Sequence, residues 1–179
     1  MIRLEKFGEE DFEQLIKWID SEALMINWSG FLFRFPLSKE SLKWYIDDTN
    51  DLQESDAFVY KAIDEESNQV IGHISLGGIS RKNKSARISR VLVGDTAEKN
   101  KGYCRQMINA VLKIGFETLK LHRITLGVYD DNVSAFKCYE RSGFVTEGIF
   151  RDVLFQEGKY RSMIEMSMLE SEWKNIHLC

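Results

Sequence analysis

Residues 128–144 read VYDDNVSAFKCYERSGF. They overlap RITLGVY (123–129), which alternates apolar and polar positions as a strand does. From Asn132 the period becomes helical, and Gly143 is placed to close the helix as a C-cap. Tyr139 falls two turns after Asn132 on the same helical face. The stretch therefore predicts a strand, a short turn and a helix over Asn132 to Arg141.

The preceding segment has the same form. ARISRVLV (86–93) reads as a strand, and from Cys104 the apolar positions Met107, Ile108, Val111, Leu112, Phe116 and Leu119 mark one face of a long helix. Between them, EKNKGYCRQM (98–107) sets Lys99, Lys101 and Arg105 around Gly102. A helix N-terminus leaves backbone N–H groups unpaired and carries partial positive charge, so it attracts anions. Glycine lets a ligand approach that backbone closely. Two readings stand: a pyrophosphate cradle, or a solvated loop with surface lysines. The nucleotide motifs G-x-x-x-x-G-K-[ST] and G-x-G-x-x-G are both absent.

Toward the N-terminus, IRLEKF (2–7) reads as a strand, and Phe12, Leu15, Ile16 and Ile19 share one helical face. A second helix begins at Ser38, and AFVYKAI (57–63) and QVIGHISLGGI (69–79) form a hairpin turned at DEESN. Toward the C-terminus a hairpin turns at EGK (157–159). The predicted order is β-α-α-β-β-β-α-β-α-β-β, a mixed α/β sheet, antiparallel in its first half and crossed over by helices in its second. No repeat or linker interrupts it, so 1–179 is read as one domain: acceptor-side helices at about 8–50, a core at about 86–144 and a closing hairpin at about 144–168.

The chain has 28 acidic and 24 basic side chains, a formal charge of −4 that argues against a general nucleic-acid binder. Cys104, Cys138 and Cys179 match no zinc spacing and are expected as separate thiols, which suits a reducing compartment. His73, His122 and His177 share no ligand spacing, so no metal is expected. The N-terminus has no signal-peptide core and no run reaches transmembrane length, so a cytoplasmic location with no membrane partner is expected.

The string N-x-x-A-x-x-x-Y-x-x-x-G-F, from Asn132 to Phe144, together with KNKGYC (99–104), resembles the GNAT superfamily of acetyl-CoA-dependent N-acetyltransferases. Its upstream motif is Arg/Gln-x-x-Gly-x-Gly/Ala. Here Lys99 stands in the first place, Gly102 matches, and Cys104 replaces the last small residue. The element order fits from the first strand to residue 168. The tail EGKYRSMIEMSML is similar to the branch holding ribosomal-protein N-terminal and spermidine acetyltransferases.

The resemblance implies a mostly antiparallel, twisted sheet of about seven strands, splayed in the middle. It implies acetyl-CoA as co-substrate and direct attack by a primary amine in a ternary complex. The acceptor would be a protein N-terminus, a polyamine or another small amine, and the enzyme could be a homodimer. Lys99, Asn100, Lys101, Gly102, Tyr103, Cys104 and Arg105 would hold the pyrophosphate. Val91 and Val93 would offer backbone groups to the pantetheine arm, with Asn132 and Phe136 beside it. Tyr139 is the candidate general acid, its alternative a core aromatic residue.

Relatives place a glutamate on the strand before the loop. Here that strand offers Arg87, Ser89 and Arg90, with no carboxylate. His73, Glu147 and Glu165 are the base candidates, unless the amine arrives deprotonated. Trp28 and Phe31, in MINWSGFLFRFPL (25–37), are acceptor-side candidates. The five acids of residues 47–56 could steer a cationic amine or simply face solvent, and the five basic residues of 81–90 could sit near the adenosine phosphate. Two other classes remain: an acyl-CoA-binding sensor without turnover, and a ribosome- or RNA-associated protein using residues 81–90.

Overall fold

Alternation of apolar residues builds one twisted sheet, which the computed structural model describes over residues 1–94 and 101–177. Its strands are β1 (Ile2–Lys6), β2 (Phe58–Asp64), β3 (Val70–Ser80), β4 (Ser85–Val93), β5 (Arg123–Tyr129), β6 (Val145–Gln156) and β7 (Lys159–Leu169). Their order is β1-β2-β3-β4-β5-β7-β6. Every neighbouring pair is antiparallel except β4 and β5. This is the seven-stranded, mostly antiparallel sheet expected from the sequence.

Helices cover both faces. On one lie α4 (Tyr103–Lys113), extended by a π-turn over Ile114–Thr118, then α5 (Val133–Arg141) and α6 (Glu170–His177). Met107, Ile108, Val111 and Leu112 of α4 pack there against Ile74, Leu76, Ile88 and Ile124 of the strands. On the other face a 3-10 turn (Glu9–Asp11) leads into α1 (Phe12–Trp18), α2 (Glu22–Ser29) and α3 (Lys39–Ile46). Phe12, Leu15, Met25, Trp28 and Leu42 form that second core. Among the described residues no helix is long and apolar enough to cross a membrane.

Three local details depart from the sequence expectation. α2 is a helix that the predicted order lacks: it begins at a serine cap, Ser21 Oγ accepting from Leu24 N, and the aromatic stretch from Met25 starts within it. α6 continues the chain past β7, with Trp173 stacked on Phe116, ring centroids 5.8 Å apart. The third concerns the cysteines: Cys104 and Cys138, expected as separate thiols, form a disulfide. The first turn of α4 packs beside α5 and brings their Cα atoms to 6.5 Å, within bridging range.

Two irregularities of β4 give the middle of the sheet its shape. β4 pairs with β5 only at Ser85–Arg87, opposite Arg123–Thr125, and beyond that the strands part. In the β3 ladder, His73 faces Leu92 and Ser75 faces Ser89, so Arg90 and Val91 together oppose Ile74. That is a β-bulge, and Arg90 takes the left-handed backbone conformation within it, φ 54°.

Candidate active site

The parting of β4 and β5 opens a cavity of about 810 Å³. The opposite edge of each strand is occupied, β4 by β3 and β5 by β7. Residues 88–93 and 126–129 therefore have no strand partner across the gap, and apart from the Ser89 and Arg90 carbonyls, which accept from Ser75 Oγ and from Trp28 Nε1 and His73 Nδ1, their gap-side backbone forms a slot suited to an extended amide chain. Val91 and Val93 lie on this edge and line the cavity.

The slot leads to the N-terminus of α4. Gly102 is its N-cap, with φ 66° and no capping side chain, so the first amides of the helix have no side-chain acceptor. A Cβ at Gly102 would meet nothing within 4 Å, so the left-handed backbone is the feature that favours glycine here. The other loop residues diverge. Lys99 and Asn100 lie outside the described residues. Lys101 Nζ is 3.5 Å from Asp64 Oδ2 and 3.4 Å from Glu66 Oε2. Tyr103 is buried and donates to Asp64 Oδ2 at 2.6 Å, anchoring the helix start to β2. Arg105 is exposed, and Cys104 lines the cavity.

On α5 the motif residues act as brackets. Asn132 Oδ1 caps the helix by accepting from Ala135 N at 3.2 Å, while its amide nitrogen remains free among the described residues. At the other end Gly143, φ 97°, donates to Glu140 O and Phe144 N donates to Tyr139 O, the two bonds of a Schellman stop. Phe144 then packs against Tyr139, centroids 6.4 Å apart. Tyr139 is only 7% exposed, yet it lines the cavity. Burial pushes its phenol up to about 12, so it stays protonated near neutrality. Its hydroxyl has no hydrogen-bond partner among the described residues. Phe136 is half-buried in the neighbouring core and does not line the cavity.

The far wall comes from the other face of the sheet. Trp28 is buried, lines the cavity and donates from Nε1 to Arg90 O at 3.0 Å. Phe31 points elsewhere, 73% exposed. Arg87 makes a two-pronged pair with Glu165, which needs Gly127 between them because a Cβ there would strike the guanidinium. Arg161 pairs with Asp131, donates to Asn27 Oδ1 at 2.8 Å and lies over the Tyr129 ring. The sequence reading did not single out Arg161 or Asp131. The signal was the alternation Arg161, Met163, Glu165 along β7, which puts charge on one face of an otherwise apolar strand.

Of the base candidates, His73 is walled off. It is 1% exposed among Phe7, Trp28 and Tyr45, is absent from the cavity lining, and its ring is held down at about 4 by burial. Nδ1 lies 3.0 Å from Arg90 O, and since that oxygen only accepts, Nδ1 carries the proton. Glu147 pairs with Arg123 and accepts from Ser167, which holds its carboxyl at about 2, away from the cavity. No residue of 47–56 lines the cavity, whereas Arg87 and Arg90 from the basic stretch do.

Comparison with known proteins agrees with this geometry. The Acetyltransferase (GNAT) domain family matches residues 4–165. The spermidine N(1)-acetyltransferase of Vibrio cholerae serotype O1 is 31% identical over 113 residues, 63% of this chain and 64% of that enzyme, so the aligned stretch spans somewhat less than two thirds of the relative. The SPbeta prophage-derived uncharacterized N-acetyltransferase YokL of Bacillus subtilis is 27% identical over 143 residues, 80% of this chain and 77% of the relative. A crystal structure of the Vibrio cholerae spermidine N-acetyltransferase with CoA and spermine superposes with a TM-score of 0.80 at 23% identity, covering 96% of this chain and 97% of that one. With the domain match spanning residues 4–165, most of its length, the chain belongs to the GNAT acetyltransferase family.

Proposed function

We propose that this protein transfers the acetyl group of acetyl-CoA to a primary amine by direct attack. One observation carries the reading: the open edges of β4 and β5 run into the uncapped amides of α4, and Tyr139 faces the same cavity. Diphosphate would seat on the amides from Gly102 onward, with Lys99 and Asn100 just before it in sequence. The pantetheine amides would pair with the backbone at Val91 and Val93, beside the Asn132 amide.

The bulge at Arg90–Val91 leaves one amide out of the β3 ladder, and we place the thioester oxygen there, where negative charge develops. The amine nitrogen attacks the thioester carbon and a C–N bond forms. As the C–S bond breaks, its electron pair goes to sulfur, and Tyr139 gives its proton to the departing thiolate. The nitrogen loses one proton to solvent and the phenol regains one. With His73 enclosed and Glu147 bound to Arg123, the amine enters already neutral.

The named relative acts on spermidine, so a polyamine is one acceptor to test, beside other small amines and protein N-terminal peptides. We place the reaction in the cytoplasm, where acetyl-CoA is available. We also propose self-association through the outer strand β6, whose Ile149, Phe150 and Phe155 are exposed, as a homodimer or a larger ring. A related enzyme, the Vibrio cholerae spermidine N-acetyltransferase, has been seen as a dodecamer. Light scattering checks this: Phe150→Glu is expected to yield monomer, and a monomeric parent protein would contradict it.

The direct test of the activity is free-thiol release from acetyl-CoA against a panel of amines and peptides. Acceptor-dependent release is expected. Binding of acetyl-CoA with no release on any acceptor would favour the sensor reading instead.

A further inference from the structure

The acceptor wall holds one guanidinium that no carboxylate among the described residues neutralises. Arg87 is paired with Glu165, and Arg161 with Asp131. Arg90 makes no ion pair among the described residues. Its Nη1 donates to Ser89 Oγ at 3.0 Å and Ser75 Oγ at 3.3 Å, its Cζ lies 4.8 Å from the centre of the Tyr45 ring, and its buried Nε has no partner among the described residues. A half-buried cation without a counter-charge is costly, and so are buried donors left unused.

The backbone around Arg90 is fixed in a way that aims it. The residue sits in the bulge with φ 54°, a conformation that favours glycine, and its carbonyl accepts from both Trp28 Nε1 and His73 Nδ1. Arg90 lines the cavity as the residue next to Val91, the strand position proposed above for the thioester, and Ser89, which its guanidinium contacts, lines it too. The charge balance points the same way. Arg87, Arg90, Lys159 and Arg161 line the cavity against Asp131 and Glu157, with Glu165 behind Arg87. With Glu165 counted the four cations exceed the three carboxylates, so the wall leaves a positive excess, the sign a polyamine also carries.

We infer that the acceptor is an α-amino acid, its carboxylate held by Arg90 and its amino group thereby delivered to the neighbouring thioester. Guanidinium is the group suited to a carboxylate, and the cation also lowers the cost of bringing that anion into the cavity. Leu24, Trp28 and Met163 line the same cavity, which favours an apolar side chain. The assignment of the acceptor's amine to the thioester rests on the acetyltransferase reading. The carboxylate site itself does not.

Calorimetric titration of the CoA-loaded protein separates the two. L-phenylalanine, L-leucine and L-methionine are compared with their amides and with spermidine. Each acid is expected to bind at least tenfold more tightly than its amide and than spermidine. Arg90→Gln is expected to bring the acid-to-amide ratio within twofold of unity, and Arg90→Lys to retain part of it, with acetyl-CoA affinity changed less than acid affinity in both. The inference is overturned if none of the acids binds, if the parent protein binds amide or spermidine as well as acid, if Arg90→Gln keeps the parent ratio, or if acetyl-CoA affinity falls as far as acid affinity. The acid-to-amide ratio of the parent protein decides even if the variants fail to fold. Tight acid binding without thiol release would leave the site standing and sink the transfer reaction alone.

Discussion

The two halves of the cavity are built by different means. The half proposed to hold the donor is assembled from backbone: strand edges left open, a helix N-terminus, and an α5 whose two ends are fixed within thirteen residues of chain, Asn132 to Phe144. The half proposed to hold the acceptor is assembled from side chains that meet across long stretches of sequence. Arg161 reaches Asn27 over a separation of 134, and Arg87 reaches Glu165 over 78. A ligand with a constant backbone-like arm suits the first construction. A variable acceptor suits the second, because single side chains can change without disturbing the sheet.

Tyr139 stands at the seam, and replacing its hydroxyl gives the largest expected effect. Tyr139→Phe keeps the ring against Phe144 and removes only the proton donor. Loss of a general acid costs about a hundredfold or more in kcat, roughly 3 kcal/mol. Acetyl-CoA affinity, measured by calorimetry, is expected to stay within twofold. Equal losses in kcat and affinity would make Tyr139 a packing residue and move the seam elsewhere.

The same contrast governs how much of the molecule was legible in its sequence. The donor half was, because caps and period changes are local: Asn132, Gly102 and Gly143 each announce a backbone conformation within a few residues. The splayed β4–β5 junction entered through the family resemblance rather than through any single stretch. The acceptor half was largely closed to reading. Trp28 lines the cavity, but Phe31 beside it faces outward, since a helix ending at Ser29 turns the chain away. Lys101 was expected at the phosphates and is shared with Asp64, the last residue of β2, and Glu66 of the turn that follows. The Cys104–Cys138 bond joins residues 34 apart on separate helices, and neither neighbourhood signals the other.

His73 tests the acceptor half as a scaffold. Its ring titrates at about 4 in the fold, against 6.5 for an ordinary histidine. Between those values the unfolded chain takes up a proton that the folded chain refuses, so stability falls as pH drops from 6.5 toward 4, by about 3 kcal/mol for this group. His73→Leu is expected to flatten that slope in urea unfolding between pH 7 and pH 4.5, while lowering stability at pH 7 because the Arg90 carbonyl loses a donor. An unchanged slope would show that the acid sensitivity of the fold arises elsewhere.

The smallest effect belongs to the donor half. Gly102 has open space around its missing side chain but a left-handed backbone, so Gly102→Ala adds conformational strain and little bulk, about 1 kcal/mol. Gly102→Val adds the same strain plus branched bulk at the N-cap, next to the amides that would meet the diphosphate. If those amides hold the donor, acetyl-CoA affinity falls in the order Gly, Ala, Val, with Val weaker by about tenfold, roughly 1.4 kcal/mol. A loss of the same size in thermal stability without any loss in affinity would leave the glycine as a turn residue only. The diphosphate would then have to be held through charge at Lys99 and Lys101, ahead of the glycine in sequence, rather than through backbone, and the donor half would resemble the acceptor half after all.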